Sequence, residues 1–165
     1  MSKPKVFVTR IIPDKGLELV KDFCDVDVWE GDLPPSREEL IKHVRGVDGL
    51  LCLLTDKIDS EVIDAAGSQL KVISNFAVGF DNIDVSAATA RKIPVGNTPD
   101  VLTDSTADFA FTLMLSAGRR VLEGSRYVRE AKWQTWSPMH LLGIELKDTT
   151  LGLIGFGRIG KAMAR

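Results

Sequence analysis

Near its carboxyl end the 165-residue chain carries Gly155-Phe156-Gly157-Arg158-Ile159-Gly160, directly after the apolar run Leu151-Gly152-Leu153-Ile154. A glycine turn that follows a strand and opens a helix can hold a pyrophosphate. Gly155 would make the tight turn, Gly157 would let the phosphates approach the backbone, and Gly160 would let helix and strand pack closely. The helix N-terminus then turns unpaired N–H groups toward the anion. Glycines at this spacing also describe a plain tight turn between strand and helix. The strand-before, helix-after context favours a dinucleotide. Arg158 would add a charge-assisted contact to the phosphates, beside Phe156 and Ile159 in the same turn. The carboxylate that grips a ribose is expected about 20 residues further on, past Arg165. The spacing therefore does not choose between NAD and NADP.

The elements that must position such a turn are legible upstream. Lys5–Thr9 reads as a strand, Pro13–Phe23 as a helix, and Asp25–Trp29 as a strand with one wet face. Ser36 and Glu39 form a capping box for the next helix. Gly49–Leu54 is apolar without alternation, as in a central parallel strand covered on both faces. Ser60–Ala66 is a helix stopped at Gly67, and Leu70–Ser74 a strand. Asp84–Arg91 is a helix, and Ile93–Gly96 a strand confined to an edge by Pro94. Five βα repeats predict an α/β fold, a flavodoxin-like doubly wound parallel sheet of order 2-1-3-4-5. Beyond it, Ser105 with Asp108 suggests a second capping box. The helix that follows is apolar over most of its circumference, so it should be buried between two domains or two subunits. A more polar helix over Val121–Lys132 and an aromatic loop, WQTWSPMHLLG, come next. A new βα unit then starts at Lys147, as the beginning of a Rossmann domain. One strand cannot complete a sheet, so residues 148–165 are expected to fray or to borrow a neighbour.

Composition narrows the function classes. The chain is 44% hydrophobic, 27% charged and 7% aromatic, as in ordinary globular proteins. The apolar runs near Leu50–Leu54 and Phe109–Leu115 are too short to span a bilayer. Residues 1–118 carry 12 basic and 19 acidic side chains, and residues 119–165 carry 9 and 4. The basic half interleaves Arg119, Arg120, Arg126, Arg129 and Lys132 with Glu123 and Glu130 at helical spacing. That is a solvated helix face, and no nucleic-acid or membrane partner is expected. Cys24 and Cys52 lack metal-ligand spacing and read as reduced core thiols in strand patterns. With no signal-peptide pattern at the amino end, they imply a cytoplasmic protein. No metal site is expected.

SNFAVGFDNIDVSAATARKIPVGNTPDVLTDSTADFAFTLMLSAGRR, followed by WQTW and TLGLIGFGRIGKAMA, resembles the D-isomer-specific 2-hydroxyacid dehydrogenases. The similarity runs over essentially the whole chain, is densest from Leu70 to Ala164, and is strongest to glyoxylate/hydroxypyruvate reductases. The resemblance implies that this chain is the amino-terminal half of such an enzyme. Residues 1–100 would be the substrate domain, 101–147 the interdomain and dimerisation helices, and 148–165 the start of an NAD(P)-binding domain. The family's catalytic arginine, glutamate and histidine lie beyond Arg165. Neither His43, on a polar helix, nor His140, in a loop, matches that histidine.

The resemblance assigns Val78 and Gly79 to the pair whose backbone N–H groups hold the substrate carboxylate. Elementary geometry agrees: glycine tolerates backbone angles that turn successive N–H groups toward one anion, at the carboxyl end of a central strand. Leu53 and Leu54 would wall that pocket or serve as plain core leucines. Thr106 resembles the threonine that touches the cofactor near the nicotinamide, and it also suits a helix start. Asp108 stands where the family usually has glutamate. Trp136 resembles the tryptophan that reaches into the partner subunit's site, and interface packing would equally explain it. Gly155, Phe156, Gly157, Arg158, Ile159 and Gly160 match the turn around the cofactor phosphates.

The implied function is NAD(P)H-dependent reduction of small 2-oxo acids such as glyoxylate and hydroxypyruvate. The implied assembly is a homodimer through the 103–120 helix and the 133–142 loop. Two other readings stand beside it. One is a carboxylate-binding and dimerisation module, inactive as 165 residues. The other is a co-repressor that keeps the dehydrogenase fold for regulation.

Overall fold

The computed structural model describes residues 2–165. They divide into two compact units, one ending at Val101 and one comprising Leu102–Arg165.

The first unit alternates strand and helix: β1 (Lys5–Val8), α1 (Asp14–Phe23), β2 (Asp25–Val28), α2 (Arg37–His43), β3 (Gly49–Cys52), α3 (Ser60–Ala66), β4 (Val72–Asn75), α4 (Val85–Ala90) and β5 (Val95–Gly96). All pairings are parallel, in the order β2-β1-β3-β4-β5. The register sets Phe7 beside Leu50, and Leu50 beside Ile73. Because side chains alternate across a strand, β1 and β3 feed two cores. Phe7, Leu50, Cys52 and Ile73 pack with Leu40, Val44, Val62 and Ile63 on one face. Val8, Ile12 and Leu17 pack with Val6, Leu51 and Leu53 on the other. Burial on both faces explains the unbroken apolar run of β3. Pro94 stands just before the edge strand β5 and contributes only its carbonyl, which accepts from Ile73 N–H.

Local chemistry sets the helix starts. The Ser36 hydroxyl accepts from Glu39 N–H, Asp59 from Val62 N–H, and Asp84 from Ala87 N–H. Glu39 does not complete the reciprocal half of a capping box; its carboxylate meets Lys42 and His43 instead. His43 is less ordinary than a residue on a polar helix. It is half-buried, stacked on Phe7, edge-on to Trp29, and joined to Asp27 at 2.6 Å. Cys24 is not a strand residue: it caps α1 and is half-buried, whereas Cys52 is fully buried in β3.

The second unit holds α5 (Thr103–Gly118), α6 (Val121–Arg129) and α7 (Arg158–Met163). The predicted capping box at Ser105 and Asp108 does not form. A turn in which Val101 N–H meets the Pro99 carbonyl precedes an earlier helix start, and Leu102 at the cap position makes no side-chain cap. Thr106 closes the first helical bond, donating its N–H to the Leu102 carbonyl, and does not cap the helix. Of the α5 residues only Ala107 is buried; Phe109, Phe111, Leu113 and Leu115 are exposed in the single chain. Arg120 takes a left-handed φ of 54° between α5 and α6 and pairs with Glu123. Leu151–Gly155 forms no strand. A strand is completed by a neighbour's donors and acceptors, and none of the described residues pairs with it.

Candidate functional site

At the carboxyl ends of β3 and β4 the chain makes two turns, residues 53–56 and 76–84, that polar side chains tie together. Three fully or nearly buried polar groups lie here: Thr9, Asp56 and Asn75. The Thr9 hydroxyl donates to the Asp56 carboxylate at 2.5 Å, and Leu53 N–H donates to the same oxygen at 2.7 Å. Asp56 N–H returns to the Leu53 carbonyl at 3.0 Å, which closes the turn. The Cys52 thiol donates to Asn75 Oδ1 at 3.4 Å; burial pushes this thiol up to about 12, and the Asp56 charge adds to the effect.

The candidate anion grip is the loop after β4. The Ala77 carbonyl accepts from Thr98 N–H at 2.8 Å, and the Val78 carbonyl accepts from Asn97 Nδ2 at 2.8 Å. The Gly79 carbonyl accepts from Asn75 Nδ2 at 2.9 Å. There are no cis peptides, so each N–H points opposite to the carbonyl of its own peptide plane. Three carbonyls bound inward therefore turn the N–H groups of Val78, Gly79 and Phe80 outward. In a strand, successive carbonyls alternate. Here two successive ones reach the single segment Asn97–Thr98, which leaves two successive donors on one side. Among the described residues no protein acceptor takes any of the three N–H groups.

Gly79 has neither the special backbone angles expected of it nor a crowded environment. Its φ lies outside the left-handed region, and an added Cβ would meet only Asp81 Oδ2, at 3.6 Å. The orientation of the donors comes from what holds the carbonyls, and glycine contributes open space above them. Leu53 is half-buried, packed on the smaller core, and its carbonyl is held by Asn82 Nδ2 at 3.0 Å. Leu54 is 67% exposed. Leu53, Val78 and Gly79 are thus brought together through Asn75 and Asn82, which the sequence pattern did not single out. The available signal was an asparagine at an inward position of β4, two residues after Ile73 in a strand whose burial alternates.

A groove of about 500 Å³ beside the 53–56 turn is lined by Pro35, Arg37, Thr55, Lys57, Asp59 and Glu61 among others. Arg37 there is already engaged by Asp59 at 2.6 Å and Glu61 at 2.5 Å. Hydrogen bonds to those two carboxylates raise its pKa further. For Asp59, burial alone would raise the carboxyl, but Arg37 and Val62 N–H outweigh it and hold it below its usual range. This groove is an ion-pair cluster in which Arg37 is committed to two carboxylates, and the exposed Lys57 ammonium stands 3.9 Å from Asp59.

In the second unit the three glycines differ in their surroundings. Gly155 has φ +94°, Gly157 has nothing within 4 Å of an added Cβ, and a Cβ on Gly160 would collide with the Gly155 carbonyl. These are the conditions for a tight turn, an open approach and a close packing contact, so the turn fits a dinucleotide phosphate. Phe156 is exposed, Arg158 and Ile159 lie in α7, and α7 packs on α5. Thr106 is half-buried in the first turn of α5, and Trp136 is 76% exposed in the 133–142 loop. His140 packs on Tyr127, with ring centroids 4.4 Å apart.

The catalytic-domain family of D-isomer specific 2-hydroxyacid dehydrogenases matches residues 6–153. The chain belongs to the D-isomer-specific 2-hydroxyacid dehydrogenases. Within them, a glyoxylate reductase of Thermofilum pendens is 54% identical over all of this chain and 49% of its own length. A crystal structure from Thermus thermophilus superposes with a TM-score of 0.92 at 45% identity, over 97% of this chain and 51% of that one. The NADPH-dependent glyoxylate/hydroxypyruvate reductase of Sinorhizobium meliloti, solved with NADP and malonate, superposes with a TM-score of 0.74 at 32% identity. That match covers 99% of this chain and 49% of the other. The chain spans about half the length of the curated 2-hydroxyacid dehydrogenases it matches.

Proposed function

We propose that the protein reduces small 2-oxo acids such as glyoxylate and hydroxypyruvate to 2-hydroxy acids with NADH or NADPH, and that this chain supplies the acid-binding half. The observation that carries this reading is the outward set of N–H groups at Val78, Gly79 and Phe80. Uncharged donors held in advance bind a carboxylate without the reorganisation that flexible side chains require. Leu53 bounds the space beside them and selects for short acids. When bound, the nicotinamide supplies the hydride for the keto carbon. Thr106 and the Gly155–Gly160 turn, with Phe156, Gly157, Arg158 and Ile159, would hold that cofactor. The catalytic arginine, glutamate and histidine of the family match no position in these 165 residues. A polypeptide of these residues alone is therefore expected to bind acid weakly and not to turn over.

Residues 1–100 act as the substrate domain, 101–147 as the dimerisation and interdomain region, and 148–165 as the start of the NAD(P) domain. The exposed apolar side chains of α5 and of the 133–142 loop support a homodimer, with Trp136 reaching toward the partner's site. The cytoplasm is the compartment in which both thiols would stay reduced.

Steady-state assays with the polypeptide at family length test the reading. Oxidation of NADH or NADPH by glyoxylate or hydroxypyruvate, inhibited competitively by oxalate, is expected. No turnover with either acid overturns the substrate assignment. Sedimentation of Phe109→Glu/Leu113→Glu against the parent tests the dimer, which should dissociate. An unchanged sedimentation coefficient removes α5 from the interface.

A further inference from the structure

We infer that Asn75 and Asn82 are positioning residues for the substrate carboxylate: their amide pair, Asn75 fully buried and Asn82 half-buried, makes the 78–80 loop and the Leu53–Asp56 turn one rigid piece. This rests on the acid-binding role proposed above for Val78 and Gly79. Asn75 is fully buried at the end of β4, and both its N–H bonds are used: Nδ2 donates to the Gly79 carbonyl and to Asn82 Oδ1, each at 2.9 Å. Asn82 Nδ2 in turn donates to the carbonyls of Leu53 and Asp56, each at 3.0 Å. The main chain repeats the tie. Ile58 N–H meets the Asn82 carbonyl and Asp84 N–H meets the Ile58 carbonyl, both at 2.8 Å.

The consequence lies in one peptide plane. Asn75 fixes the Gly79 carbonyl, so the N–H of Phe80 is directed outward as a third donor beside Val78 and Gly79. Neither asparagine needs to touch the acid. If Asn82 is removed, Asn75 loses an acceptor, and the Leu53 and Asp56 carbonyls lose a donor in a poorly solvated place. The Asn75 amide, which still holds the Gly79 carbonyl, then loses one of its two anchors, and the wall at Leu53 keeps only its main-chain tie, so the grip loosens.

In the polypeptide at family length, Asn82→Ala is expected to raise KM for glyoxylate and Ki for oxalate together, by about tenfold each. The kcat and the KM for the nicotinamide nucleotide should stay within about twofold. A purely structural role predicts the reverse: less active enzyme, hence a lower apparent kcat at unchanged KM and Ki, and that result overturns the inference. Gly79→Ala, which the fold accommodates, separates the two readings. Raised Ki in Gly79→Ala with unchanged Ki in Asn82→Ala keeps the acid site and discards the asparagine pair. Unchanged Ki in both discards the acid site itself. Should Asn82→Ala fail to fold, the unmodified chain answers by amide NMR during an oxalate titration. The side-chain NH2 signals of Asn75 and Asn82 should shift together with the Val78, Gly79 and Phe80 amides. Loop shifts without side-chain shifts overturn the inference alone; no shifts at all overturn both.

Discussion

The side-chain amide of Asn97 reaches the carbonyl of Val78 at 2.8 Å, from the segment just after β5 to the loop just after β4. With Thr98 N–H on the neighbouring Ala77 carbonyl, it turns two consecutive peptides the same way. Asn97→Ala should release the Val78–Gly79 peptide and raise KM for the 2-oxo acid several-fold. Loss of one half-buried hydrogen bond is worth about 1 kcal/mol, which is roughly fivefold. Steady-state kinetics at saturating cofactor provide the check, and an unchanged KM would show that Thr98 alone sets the loop.

The three glycines of the 155–160 turn should respond differently to alanine. Gly157→Ala places its methyl in open space, so the fold should hold while NAD(P)H binding weakens at least tenfold. Gly155→Ala forces a side chain into φ +94° and should cost about 1–2 kcal/mol in that turn. Gly160→Ala meets the Gly155 carbonyl and should disrupt the turn most. Thermal melts with and without NADH distinguish the three. Equal loss of stability for Gly157→Ala and Gly160→Ala would contradict the assignment.

Acid should destabilise the first unit through two carboxylates. Asp48 is held below its usual 3.8, first by the Lys71 ammonium and then by Lys5 N–H, and Asp59 is held low by Arg37 against its own burial. A folded-state pKa below the unfolded one contributes stability that is complete above the ordinary carboxylate range. It fades as pH falls through the folded value. Urea midpoints should thus be level from pH 7 to about pH 5 and fall below it. Arg37→Met should flatten part of that fall. A midpoint that rises on acidification would reverse the sign.

Thiol chemistry separates the two cysteines. Cys52 is fully buried and its thiol is pushed up to about 12, so it carries almost no thiolate near neutrality. Cys24 is half-buried at the end of α1. Iodoacetamide at pH 8 should label Cys24 in the folded protein and both residues in urea, as read by peptide mass spectrometry. Labelling of Cys52 at the rate of Cys24 would mean that the β3 core opens far more readily than its packing implies.

Periodicity and caps were enough to read the order of strands and helices up to Gly96, because those signals act within one turn or one strand. The non-alternating run Gly49–Leu54 announced a strand covered on both faces, and Ser36 caps the helix it was expected to start. Family likeness in the residues around Val78 and Gly157 pointed to an acid grip and a phosphate turn. The direction of the grip was not legible. It depends on the carbonyls of Ala77, Val78 and Gly79 finding Thr98, Asn97 and Asn75, two of which lie on another strand's exit. Peptide orientation is a non-local property, and residue type at position 79 does not encode it.

The same distinction explains the unpaired segment, which was expected to fray, and one misread cap. Leu151–Gly155 has strand residues but no paired strand beside it, and sheet structure exists only between segments. Ser105 is a good cap in isolation, yet the turn at Pro99–Val101 starts the helix at Thr103. Residue types alone therefore determined the sheet, its order and the family. Tertiary contacts decided which N–H groups face outward, because a trans peptide turns its donor away from whatever binds its carbonyl.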